Sequence, residues 1–173
     1  MFFLLINGAS CSGKSSVIKE IMKTQDELFH LPYDSLKWLF SKYNSKTHYQ
    51  KVQEFVFSVA IFAMKKKYNI ISDSSLYKKD RNKLIDLAKK HDYKIIEVNL
   101  KADFSVLEKR FEERVTGALA DPSKRITNTS KERFKELVET FEKEKNQDAI
   151  KIRTDDKKIE EVVQEILKLI YYK

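Results

Sequence analysis

A chain of 173 residues lies in the range of a single domain and is long enough to bury one substantial core. Its 42% hydrophobic and 12% aromatic content, with only three Gly and two Pro, excludes a disordered or collagen-like chain and favours long helices. The net charge of +8 favours a polyanionic partner or substrate through long-range attraction, although Lys far outnumbers Arg and most basic residues fall on solvated helix faces.

Residues 2 to 7 form a continuous apolar run, the pattern of a strand buried on both faces of a parallel sheet. A helix is expected from Lys14, with Val17, Ile18, Ile21 and Met22 recurring at helical spacing up to Thr24. A short second strand ends at His30-Leu31-Pro32-Tyr33, and Asp34-Ser35 then offers N-caps for a helix from Leu36 to about Tyr43. Tyr49 to Lys67 carries a helical stripe of Val52, Phe55, Val56, Val59, Phe62 and Ala63 that is expected to face the core. Tyr68 to Asp73 reads as a third strand ending on a carboxylate, Lys79 to His91 as a helix, and Lys94 to Leu100 as a fourth strand.

Asp103 to about Val115 is expected to be helical, with Phe104, Leu107 and Phe111 on one face. The polar run from Thr116 to Thr129 contains Gly117 and Pro122 and reads as a mobile segment, a small lid over about 115–130. A helix from Ser130, a strand from Ala149 to Arg153 and a helix carrying Ile159, Val162, Val163, Ile166 and Ile170 complete the pattern. Strands alternating with helices predict one domain, a three-layer α/β/α sandwich around a mostly parallel five-stranded sheet, with any site at one sheet edge. The lone cysteine, Cys11, excludes an internal disulfide framework, no Cys/His metal pattern occurs and no stretch approaches a membrane span, so a reducing, cytoplasmic setting is expected.

The chemistry concentrates where the first strand meets the first helix. Gly8-Ala9-Ser10-Cys11-Ser12-Gly13-Lys14-Ser15 matches the phosphate-loop pattern G-x4-G-K-[ST] in full, in the strand-to-helix context that the mechanism requires. Small residues let successive backbone N–H groups converge on one concavity, and the helix N-terminus, through Ser16, adds partial positive charge. Lys14 is placed to reach the outer phosphates and the Ser15 hydroxyl to ligate Mg²⁺. Cys11 reads as a small loop residue rather than a nucleophile. The third strand ends Ile70-Ile-Ser-Asp73-Ser-Ser with no Glu beside Asp73, which counts against a water-activating regulatory ATPase or binding module, and there is no Asn-Lys-x-Asp guanine reader.

The loop, taken with Tyr33-Asp34-Ser-Leu36, Ile71-Ser-Asp73-Ser-Ser-Leu-Tyr-Lys-Lys-Asp-Arg81 and Leu107-Glu-Lys-Arg110-Phe-Glu-Glu-Arg114, resembles the phosphate-loop kinases of the polynucleotide 5′-kinase group. It is similar also to chloramphenicol phosphotransferases and zeta toxins, over roughly residues 2 to 170. The resemblance implies a P-loop NTPase fold, ATP and Mg²⁺, and transfer of the γ-phosphoryl group to a hydroxyl acceptor. That acceptor is a nucleic-acid 5′-hydroxyl in one reading and a small molecule, such as an antibiotic, nucleoside or sugar nucleotide, in the other.

Residue roles follow from the same resemblance. A kinase acting on an alcohol benefits from a carboxylate that takes the acceptor proton, and by resemblance Asp34 is that base; helix capping is the alternative. Arg114 matches a lid arginine that reaches the ATP phosphates, Arg125 within the lid is a further phosphate contact, and Arg110 is expected against the adenine; for both Arg110 and Arg114 the alternative is a surface cation paired to Glu108, Glu112 or Glu113. Asp73 reads as a Mg²⁺ ligand through water, an acceptor contact or an N-cap. The turn Arg153-Thr154-Asp155-Asp156 resembles the adenine-side loop of related kinases, where backbone atoms read the base. Trp38 and Phe40 are expected in the core or lining an acceptor pocket, and His30, His48 and His91 share no spacing and read as structural or solvent-facing.

Overall fold

The computed structural model describes residues 1–73, 77–120 and 129–171, with backbone alone for 33, 34, 45, 46 and 118–120. Five strands, β1 (Phe2–Gly8), β2 (Leu28–Leu31), β3 (Asn69–Asp73), β4 (Lys94–Lys101) and β5 (Ile150–Arg153), form one sheet in the order β2-β3-β1-β4-β5. Every pairing is parallel, so the carboxyl ends of all five strands gather on one edge. β1 is central, and its register sets Ile6 beside Asp73 on one side and Gly8 beside Leu100 on the other.

The helices α1 (Lys14–Thr24), α2 (Tyr33–Leu36), α3 (Ser45–Lys65), α4 (Lys78–Lys90), α5 (Phe104–Ala120), α6 (Lys131–Glu144) and α7 (Ile159–Tyr171) cover the sheet. Alternation along β1 divides the core. Leu4 and Ile6 are buried with Val17, Ile18 and Ile21 of α1 and Val162, Val163, Ile166 and Ile170 of α7. Phe3 and Leu5 are buried on the other face with Val52 and Val56 of α3 and Leu84 and Ala88 of α4. Each fully buried Leu, Ile or Phe removes apolar surface from water at about 1.5–3 kcal/mol per side chain, which makes these two layers the main restraint on where Gly8 ends.

Several expectations are corrected. The helix expected over Leu36 to Tyr43 is the single turn α2 followed by a 3-10 turn, Lys37–Leu39. Phe40 adopts an extended conformation and Lys42 a left-handed one with φ 50°, which turn the chain back into α3 before a longer helix can form. Asp34 lies inside the α2 turn, whose N-cap is Pro32, so the capping alternative falls away. α3 begins at Ser45, a full turn earlier than expected, and two members of its apolar stripe, Phe55 and Phe62, point to solvent, Phe62 with 56% of its surface exposed. Phe104 is also exposed, although its ring lies 6.1 Å from that of Phe134.

α5 continues to Ala120, five residues beyond the expected end. Val115 extends the apolar row of Leu107 and Phe111, and Gly117 meets no atom that would penalise a helix there. Ser130 caps α6, its Oγ accepting the Arg133 N–H at 3.2 Å. Within the expected lid, residues 121–128, with Arg125, lie outside the described residues. α5 and α6 pack through Leu107, Phe111, Phe134, Val138 and Phe141, with Phe111 and Phe134 stacked at 4.5 Å. Lys131 bridges Glu108 at 3.2 Å and Glu112 at 2.9 Å across the same seam.

Candidate phosphate-loop site

The loop between β1 and α1 takes its shape from backbone that few side chains tolerate. Gly13 closes it at φ 95°, and Cys11 sits at φ 64°, a left-handed conformation unusual for a residue other than Gly. Gly8 is required for contact rather than for its dihedral angles: a Cβ there would overlap the Ser12 hydroxyl and lie 3.1 Å from the Leu100 carbonyl. Ala9 is buried in the α5/α6 apolar cluster and Cys11 packs against that cluster, so the outer wall of the loop rests on those two helices.

α1 begins without a side-chain cap and with no acidic residue in its first turn. Its first intrahelical bond runs from the Val17 N–H to the Gly13 carbonyl at 3.0 Å, which leaves the N–H groups of Ser15 and Ser16 ahead of the helical ladder. These donors and the helix dipole create an anion-attracting end. Lys14 Nζ donates to the carbonyls of Gly8 at 2.7 Å and Ala9 at 3.0 Å, holding its ammonium over the loop. Ser15 and Ser16 are exposed, whereas Ser12 is buried and its Oγ has no hydrogen-bond partner among the described residues. Ser10 Oγ contacts Cys11 Sγ at 3.9 Å.

A second set of residues joins the loop from the far end of the sheet. Thr154 follows β5; its N–H donates to the Lys101 carbonyl at 2.8 Å, and its buried Oγ1 lies 3.3 Å from the Ser12 carbonyl. Arg110 Nη1 donates to Thr154 Oγ1 at 3.1 Å and Nη2 to the Thr154 carbonyl at 2.5 Å. The surface-cation alternative for Arg110 is thereby corrected, since its guanidinium is fixed to the turn after β5 rather than to a neighbouring Glu. Arg153 bridges Asp103 at 3.0 Å and Asp155 at 2.7 Å, and Asp155 Oδ1 accepts the Asp103 N–H at 2.7 Å. The structure thus brings together Arg110, Arg153, Thr154 and Asp155 beside the loop. Arg114 is exposed on α5, one turn beyond Arg110.

On the opposite side of the loop, α2 carries Asp34 just past the carboxyl end of β2, and β3 ends on Asp73 at the same edge. His30 Nε2 lies 3.9 Å from Asp73 Oδ1. Burial pushes the His30 imidazole below its ordinary value, so it faces Asp73 uncharged at neutral pH.

Sequence reasoning missed a polar layer behind the loop. Arg81, only 3% exposed, has Nε 3.2 Å from Glu97 Oε1 and donates through Nη1 to the Glu144 carbonyl at 2.8 Å. Asn7, the residue before the loop, donates to Glu97 Oε1 at 2.8 Å, Asn146 donates to Oε2 at 2.6 Å, and Asn99 donates to the Asn146 carbonyl at 2.7 Å. The one signal in the sequence was the polar residues Asn7, Glu97 and Asn99 within otherwise apolar strands. Among the described residues no group of three or more His, Cys, Asp or Glu could hold a metal ion, and no helix is long and apolar enough to cross a membrane.

Comparison with family models matches residues 2–167 to the zeta toxin family. The chain belongs to that family. No curated protein matches it significantly. Among solved structures it is similar to a gluconokinase from Sinorhizobium meliloti 1021 at 17% identity, covering 99% of this chain and 96% of that one, with a TM-score of 0.65. It is similar also to the Mycobacterium tuberculosis APS kinase CysC at 15% identity, covering 98% and 96%, with a TM-score of 0.65. A chain of the Pnkp1/Rnl/Hen1 RNA repair complex shares 17% identity over 82% of this chain and 44% of that one, again with a TM-score of 0.65. At these identities the likeness is one of fold. This zeta toxin family member therefore has the α/β fold of the P-loop kinase group, as the loop motif implied.

Proposed function

We propose that this zeta toxin family member is an ATP-dependent kinase that transfers the γ-phosphoryl group to a hydroxyl, with a nucleic-acid 5′-hydroxyl as the acceptor. The observation that carries the reading is the phosphate loop: Lys14 poised above the Gly8 and Ala9 carbonyls, an uncapped α1 N-terminus, and a backbone closed by Gly13 at φ 95°. The exposed Ser15 hydroxyl adds polar capacity to the same concavity. Mg²⁺, when bound, would offset charge on the β- and γ-phosphates, with Ser15 as its protein ligand and Asp73 reaching it through water.

In the transfer the acceptor oxygen forms a bond to the γ-phosphorus as the bond to the bridging oxygen of ADP breaks, and the hydroxyl proton passes to the Asp34 carboxylate. Arg114 and Arg125 supply positive charge from the lid side. The turn Arg153-Thr154-Asp155, held by Arg110, forms the adenine side. The net charge of +8 and the resemblance to polynucleotide 5′-kinases support the nucleic-acid acceptor.

A second reading, a small-molecule hydroxyl as acceptor, is favoured by the zeta toxin family match. The deciding experiment is transfer of labelled γ-phosphate from ATP to 5′-hydroxyl oligonucleotides, nucleosides, sugar nucleotides and hydroxylated antibiotics, with Lys14→Ala as control. Labelled oligonucleotide that disappears in the control supports the first reading. Label on a small molecule alone replaces it with the second, and ATP binding without any transfer overturns both.

A further inference from the structure

The chain's single tryptophan, Trp38, lies in the 3-10 turn that continues α2, with 53% of its surface exposed. The helical path is unbroken from Tyr33 through Leu39, so residue 38 follows residue 34 by one turn, about 6 Å along the axis. Trp38 therefore stands at the carboxyl edge of the sheet, where open α/β folds bind ligands, directly after the position read as the proton acceptor.

An isolated exposed apolar residue would carry little meaning, but this indole is held in a framework. The Tyr43 ring meets it edge-on at 6.0 Å, Tyr43 packs on His48 at 6.0 Å, and Phe40 packs on His48 at 6.1 Å. His48 Nδ1 accepts the Asn44 N–H at 3.0 Å, tying the group to the start of α3. The Lys37 ammonium lies over one face of the indole, 5.3 Å from its centroid, which places a cation at the ring and leaves stacking to the opposite face. A pre-positioned aromatic face with an adjacent cation, on a chain of net charge +8, is the combination that binds single-stranded nucleic acid through base stacking and phosphate pairing.

We propose that Trp38 stacks the nucleobase of the nucleotide that bears the reacting hydroxyl, with Lys37 pairing the phosphate that follows it. This rests on the reading of the acceptor as a nucleic-acid end. The indole would act in acceptor binding and orientation, not in the chemical step.

The test is steady-state phosphorylation by the full chain of two matched oligonucleotides, one with an ordinary 5′-terminal nucleotide and one whose 5′-terminal sugar is abasic, using parent, Trp38→Ala and Trp38→Phe. Removing the base should raise the acceptor KM of the parent about 5- to 150-fold, the range for one stacked base. Trp38→Ala should raise the KM for the ordinary oligonucleotide by a similar factor, gain nothing from the base, and keep kcat and the KM for ATP; Trp38→Phe should recover most of the loss. Because Trp38 is the only indole, its emission in the parent should also quench on adding the ordinary oligonucleotide and not the abasic one. A parent that phosphorylates both oligonucleotides equally well, or a Trp38→Ala chain with unchanged acceptor KM, overturns this inference while leaving the nucleic-acid reading standing. A parent that phosphorylates neither, while transferring to a small hydroxyl, overturns both.

Discussion

Arg81 and Glu97 form an ion pair at 3.2 Å inside the protein, and Asn7, the residue that leads into the phosphate loop, donates to the same Glu97 oxygen. The pair links α4 to β4 at the level of Leu5, and Asn7 connects it to the end of β1. Replacing Arg81 with Met leaves Glu97 with a buried charge lacking its counterion, and removal of one partner of a buried pair costs about 3–5 kcal/mol. Arg81→Met should lower the chemical-denaturation midpoint substantially, and Arg81→Met with Glu97→Gln should regain part of it. Equal midpoints for parent and Arg81→Met would show that the pair contributes nothing.

Gly8 approaches Ser12 so closely that a methyl group has no room. Gly8→Ala should abolish ATP binding measured by calorimetry, because the loop must shift to admit the new carbon. Adding Ser12→Gly removes the worst overlap but leaves the contact with the Leu100 carbonyl at 3.1 Å, so the double variant should recover binding in part. Full binding by Gly8→Ala alone would show that the loop gives way at no cost.

Lys14 is anchored to two loop carbonyls and carries the charge above the concavity. Lys14→Ala should lower kcat for phosphoryl transfer by about 100- to 1,000-fold, the usual cost of losing one donor to developing negative charge. Thermal stability should change little, since the ammonium lies at the surface of the loop rather than in the core. A variant that keeps parental kcat would remove Lys14 from the transfer step.

Asp34 differs from Lys14 in what its loss should leave intact. Asp34→Asn should reduce kcat by about 100- to 10,000-fold, the contribution of a positioned general base, while ATP affinity stays at the parental value. Comparable loss of ATP affinity would place Asp34 at the nucleotide instead of the acceptor.

His30 introduces a pH dependence of stability. Burial lowers its pKa below the ordinary 6.5, so between the folded and unfolded values the unfolded chain binds the extra proton. Stability is therefore retained above about pH 6.5 and declines as the pH falls below it. Denaturation midpoints taken from pH 7.5 down to pH 5 should fall less steeply for His30→Gln than for the parent; identical slopes would mean that His30 titrates alike in both states.

The sequence by itself determined the order of β1, loop and α1, because each part is written in a local pattern along the chain. An apolar run makes a buried strand, small residues make the turn, and Val17, Ile18 and Ile21 face the core at helical spacing. The alternation of strands and helices likewise disclosed the α/β class. Tertiary structure alone decided that Arg81 is buried against Glu97, that Arg110 is fixed to Thr154 beside Ser12, and that Phe62 faces solvent although it continues an apolar stripe. These outcomes depend on partners far apart in sequence, such as Thr154 and Ser12 at 142 residues' separation. Periodicity reports which face of an element is apolar; which neighbour covers that face, and where the cover ends, is set by the packing of the whole sheet.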